Sequence, residues 1–133
     1  MNKQKIIVVI IATRSVPLAD GLEALLKAIP EIDQVEIVRT IENAAERVEK
    51  IRPRILLLDL ALAGKKAGAF LEKMAARSPE TLRVLLVDDA QDLKWQPQFA
   101  EAILIKGAAP IVVVATLTNL LVAQGDGNEQ TYD

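Results

Sequence analysis

Short aliphatic runs alternate with segments of helical periodicity five times along this chain. Ile6 to Ala12 (IIVVIIA) is apolar throughout, the pattern of a strand covered on both faces. Ser15 then offers an N-cap, and Pro17 falls in the first helical turn, where its missing N–H leaves no bond unmade. Leu18, Leu22, Leu25, Leu26 and Ile29 share one face of that helix, which ends at Pro30. Val35 to Val38 predicts a short second strand. Thr40 caps a second helix with Ile41, Ala44, Ala45, Val48 and Ile51 inward and Glu42, Glu46, Glu49 and Lys50 outward. Ile55 to Leu58 predicts the third strand, residues 66–76 the third helix, Leu82 to Val87 the fourth strand and Ile103 to Ile105 the fifth. A last helix is expected over 111–123, with Pro110 at its start. Between strands four and five, Pro97 interrupts a poorly periodic stretch, so residues 89–101 predict a broken helix or a loop.

Strands that each lead into a helix, without hairpin signals, predict an α/β fold with a parallel sheet covered on both faces. Five strands fit the doubly wound, flavodoxin-like order 2-1-3-4-5, in which strands one, three and four are central. Those three are the most apolar here, as that order requires. One domain is expected over residues 1–123, and the polar, Gly-containing residues 124–133 (QGDGNEQTYD) predict a flexible tail.

Composition narrows the function. The chain has 133 residues, one domain's worth, and is 51% hydrophobic with only 3% aromatic, so its core must be aliphatic. A net charge of −2 and no basic run argue against nucleic-acid binding. Without Cys or His, thiol chemistry and the usual neutral-pH proton shuttle are excluded, and a metal site would need oxygen ligands of the Mg²⁺ kind. Residues 1–19 mimic a signal peptide only loosely, since Thr13-Arg14 interrupts the short apolar run. Gly107 to Gly125 carries no charge, but Pro110, Thr116, Thr118 and Asn119 weaken it as a membrane span. A cytoplasmic protein without a membrane partner is expected.

The candidate chemistry lies at the carboxyl ends of the strands, where open α/β sheets bind their ligands. In the expected order Thr13 and Arg14, Asp59, Asp88 and Asp89, and Lys106 converge there. Asp59 also has a plainer reading, as the N-cap of whatever follows its strand. Two carboxylates between Arg14 and Lys106 would form a charge-balanced cluster without metal. Asp59, Asp88 and Asp89 together would be an alternative Mg²⁺ site. Enzyme readings are weak: ATRSVPL lacks the Gly-rich turn of a dinucleotide fold, no nucleophile has an activating base at visible spacing, and Thr-Arg stands where a dehalogenase-like Asp would follow strand one.

Over residues 5–123 the chain resembles the receiver domain of two-component response regulators, especially receivers that precede helix-turn-helix DNA-binding domains. The phrases that carry the likeness are PRILLLDLALAG around Asp59 and ILIKGAAP around Lys106. The resemblance implies that Asp59 is the phosphoacceptor and Lys106 the phosphate-binding lysine, and that the partner is a histidine kinase or another signalling protein. The departures are equally specific. Thr13 and Arg14 stand where the family has the acidic pair that holds Mg²⁺, and Asp88 stands where it has a Ser or Thr. Ile103 replaces the aromatic switch residue, the Pro before Gly64 is missing, and the stretch from Asp88 to Lys106 is short.

These changes point to a pseudo-receiver, a non-enzymatic interaction module with impaired phosphorylation. An ordinary receiver with a displaced metal site is the alternative, and a small-ligand-binding flavodoxin-like domain a third reading. The last helix is apolar nearly all round, so a homodimer through Val113, Leu117, Leu120 and Leu121 is expected.

Overall fold

The computed structural model describes residues 6–89 and 98–130, with the side chains of the final helix described to residue 123. Strands β1 (Val8–Ala12), β2 (Gln34–Val38), β3 (Ile55–Asp59), β4 (Leu82–Val87) and β5 (Ala102–Ile105) form one sheet in the order β2-β1-β3-β4-β5. Every neighbouring pair is parallel, with Ile10 opposite Leu56 and Asp59 opposite Leu86. This is the arrangement that the alternation of strand and helix patterns predicts.

Helix α1 (Val16–Lys27) starts where Ser15 accepts a hydrogen bond from the Leu18 amide, and α2 (Ile41–Ile51) where Thr40 accepts one from the Asn43 amide. The helix expected over 66–76 is instead preceded by a separate turn. Asp59 caps a four-residue helix α3 (Leu60–Ala63), a 3-10 turn follows over Gly64–Lys66, and α4 (Ala67–Arg77) then begins. The break falls at Gly64, whose φ of +57° with ψ of −135° is a conformation that only glycine adopts without strain.

Helix α5 runs from Pro110 to Gln130, past residue 123, so the tail expected over 124–133 is helical as far as Gln130. Gly125 and Gly127 weaken a helix without ending it, and no proline stops this one. The broken helix or loop expected over 89–101 falls largely on residues 90–97, outside the described residues. No helix among the described residues is long and apolar enough to cross a membrane.

Side chains alternate along each strand between two cores. Val9, Ile11, Ile55, Leu57, Val84 and Leu86 pack under α1 and α5, while Ile10, Leu56, Leu58, Leu85 and Val87 pack under α2 and α4. The interface expected on the last helix is corrected here. Val113, Leu117 and Leu121, spaced by four, are buried in the protein's own first core, and Leu120 packs half-buried beside them. Among the described residues, the large apolar side chains that α5 leaves in solvent are Ile111, Val112 and Val122, with Ile105 exposed on β5.

One buried charge fixes the approach to β5. Arg83 donates from Nε to the Phe99 carbonyl (2.6 Å) and from Nη1 to that of Thr81 (2.7 Å). Its Nη2 meets Glu101 Oε2 at 2.6 Å, and its backbone amide donates to the other oxygen of the same carboxylate. A buried guanidinium is tolerated because every edge has an acceptor.

Candidate functional site

Asp59 ends β3 and is 2% exposed, so its charge must be met by protein groups. They are all present. Thr13, one residue past β1 and itself buried, donates its hydroxyl to Asp59 Oδ2 at 2.6 Å. An ionised carboxylate only accepts, and the same Thr13 oxygen in turn accepts from the Ser15 amide at 3.0 Å. On the other oxygen, Lys106 Nζ lies 2.5 Å from Asp59 Oδ1, which also accepts from the Ala61 amide at 2.9 Å. The plain N-cap reading of Asp59 holds, and the same oxygen that caps α3 meets a lysine.

Lys106 is placed by the sheet. Its amide donates to the Val87 carbonyl at 2.8 Å, continuing the β4–β5 ladder one step past β5. Its ammonium also lies 3.1 Å from Asp88 Oδ1, and the Asp88 side chain is 72% exposed. Burial alone would lower the Lys106 pKa, but hydrogen bonds to Asp59 and Asp88 outweigh it and hold the ammonium above its ordinary 10.5. Asp59, Lys106 and Asp88 thus form a chain from the buried end of the sheet to solvent.

Arg14 does not join this cluster. The chain leaves the sheet after Ala12, and with Thr13 turned in toward Asp59 the next residue turns out. Arg14 is exposed and lines a separate cleft with Arg39, Lys65 and Lys66. The charge-balanced cluster expected, with two carboxylates between Arg14 and Lys106, is corrected: Lys106 meets both Asp59 and Asp88, and the Thr13 hydroxyl rather than Arg14 meets Asp59. The alternative metal site on Asp59, Asp88 and Asp89 does not assemble either, since among the described residues no three acidic side chains lie close enough together to hold an ion. Ile103 packs half-buried against the second core.

The cation cleft is not legible in the sequence, because its residues come from three loops and form no run. A periodicity argument cannot group positions 14, 39, 65 and 66; only the sheet order does.

Comparison with known proteins bears on the fold. No protein-family model matches the sequence, and no curated protein matches it. Among solved structures, a response regulator receiver domain from Methanospirillum hungatei JF-1 superposes with a TM-score of 0.79 at 18% identity, covering 92% of this chain and 99% of that one. The signal receiver domain of an HD-domain protein from Pseudomonas fluorescens Pf-5 gives 0.81 at 17% identity, covering 98% and 97%. The receiver domain of a DNA-binding response regulator from Colwellia psychrerythraea 34H gives 0.75 at 15%, covering 86% and 98%. The chain has the receiver fold over nearly its whole length.

Proposed function

We propose that this chain is an atypical receiver domain that acts as a protein-interaction module in phosphorelay-type signalling, with Mg²⁺-dependent phosphorylation of Asp59 impaired. The observation that carries this is the state of the Asp59 carboxylate. Both oxygens are engaged, Oδ2 by the Thr13 hydroxyl and Oδ1 by Lys106 and the Ala61 amide. Phosphoryl transfer to a carboxylate needs cations to neutralise the charge on the transferring oxygens. Here a neutral hydroxyl occupies the side of Asp59 where the resemblance would put a metal, and exposed Asp88 adds negative charge where it would put a hydroxyl. A site already neutralised at rest favours one conformation over a switch.

The partner is a histidine kinase or another signalling protein, and two copies pair through α5. Pairing is supported by Ile111, Val112 and Val122, large apolar side chains that α5 leaves exposed.

Incubation with acetyl phosphate and Mg²⁺, followed by intact-mass spectrometry and size-exclusion chromatography, tests the reading. No stable adduct is expected, and Asp59→Asn should leave self-association unchanged. Ile111→Glu should weaken it. A phospho-adduct on Asp59 that changes the oligomeric state restores the ordinary receiver.

A further inference from the structure

The cleft beside the Asp59 mouth carries an inference that the receiver reading does not use. Three loops at the carboxyl end of the sheet build it: Arg14 follows β1, Arg39 and Thr40 lead into α2, and Lys65 and Lys66 follow α3. Its volume is about 630 Å³, and its lining has four cations against a single carboxylate, Glu42. Among the described residues none of the four cations pairs with an acidic side chain. The whole chain is net negative, so this concentration is not a consequence of composition. Four like charges around one concavity repel one another unless an anion enters.

The rest of the lining narrows the ligand. Thr40 caps the Asn43 amide, so the first-turn amides of α2 at Ile41 and Glu42 have no intrahelical acceptor and border the same cleft. Ile41, Leu62 and Ala63 supply an apolar wall. Glu42 offers an acceptor for a sugar hydroxyl or an exocyclic amine. The volume is in the range of small-molecule sites and far exceeds one phosphate ion.

We propose that this cleft binds a nucleoside polyphosphate, its phosphates on Arg14, Arg39, Lys65 and Lys66 and its base against Ile41 and Leu62. Side chains do here what backbone amides do in a Gly-rich phosphate loop, so the absence of such a loop after β1 is no obstacle. The site is separate from the Asp59 mouth, since Asp59, Thr13 and Lys106 are not on its lining.

Isothermal titration of the full chain with ADP, pyrophosphate and adenosine, in Mg²⁺-free buffer of fixed ionic strength, tests the proposal. ADP should bind saturably, pyrophosphate more weakly and adenosine not at all. Arg14→Gln and Arg39→Gln should each weaken ADP by about tenfold, the loss of one charge-assisted contact. The Lys65→Gln/Lys66→Gln pair should weaken it as well, which guards against one misfolded variant. Asp59→Asn should leave ADP affinity within about twofold, whatever the outcome at the phosphoacceptor. Absence of saturable ADP binding overturns the proposal. So does binding of pyrophosphate without ADP, or ADP binding that survives both arginine changes.

Discussion

The mouth around Asp59 and the cleft around Arg14 and Arg39 lie at the same end of one sheet and treat charge in opposite ways. In the mouth, a carboxylate that is 2% exposed has a hydroxyl on one oxygen and an ammonium and an amide on the other. In the cleft, four exposed cations have no acidic partner among the described residues. Burial accounts for the difference. An ion held away from water must be satisfied within the protein, whereas an ion in water can remain unpaired at little cost until a ligand arrives. The mouth therefore satisfies its charge within the protein, and the cleft leaves its cations to solvent.

The sharpest way to break this contrast is to remove the cation from the closed site. Lys106→Met leaves Asp59 buried with its principal countercharge gone, and should destabilise the fold by about 3 kcal/mol in urea unfolding. Pairing it with Asp59→Leu should recover much of that loss, because no uncompensated charge then remains. A Lys106→Met change of less than about 0.5 kcal/mol, the range of ordinary surface substitutions, would mean that water reaches Asp59 and that the mouth is not closed.

Thr13→Val tests the other oxygen at smaller cost. It removes the donor to Asp59 Oδ2 and the acceptor for the Ser15 amide, while keeping the shape of the side chain. A loss of about 1–3 kcal/mol is expected, the range for leaving a buried polar group unpaired. The open cleft should respond differently. Lys65→Gln/Lys66→Gln should shift stability by no more than about 0.5 kcal/mol, and the shift should fade as salt screens the cluster.

What the sequence made legible divides along the same line. Strand order, both helix caps at Ser15 and Thr40, and the meeting of Asp59 with Lys106 follow from periodicity and from positions at strand ends. Those are backbone-level facts, and a one-dimensional pattern carries them. The direction of a side chain just past a strand is not carried that way. Thr13 and Arg14 were grouped as neighbours of Asp59, yet one turns in and the other out, so only Thr13 reaches it. Helix α3 was missed because four residues are too few to show a period, although Asp59 is its cap. On α5 the apolar pattern is nearly all round, and it could not say which residues face the core. Packing assigns Val113, Leu117 and Leu121 to the core and leaves Ile111, Val112 and Val122 outside. The role of Arg83 is visible only once Phe99 and Glu101 lie beside it.

A pH dependence is also expected, and it belongs to the mouth alone. Lys106 has a folded-state pKa raised above the ordinary 10.5: burial opposes the charge, but the hydrogen bonds to Asp59 and Asp88 prevail. A group whose pKa is higher folded than unfolded binds its proton more tightly in the native state. Its contribution is complete below the unfolded value and is lost as pH rises through the folded one. Wild-type protein should therefore keep its stability advantage over Lys106→Met up to about pH 10, below the ordinary lysine range, and lose it progressively above that. Comparing urea midpoints of the two proteins at steps from pH 9 upward isolates Lys106 from other groups that titrate there. An advantage that stays constant through the alkaline range, or that falls away well below the ordinary lysine pKa, would show that the ammonium is not held by Asp59 and Asp88.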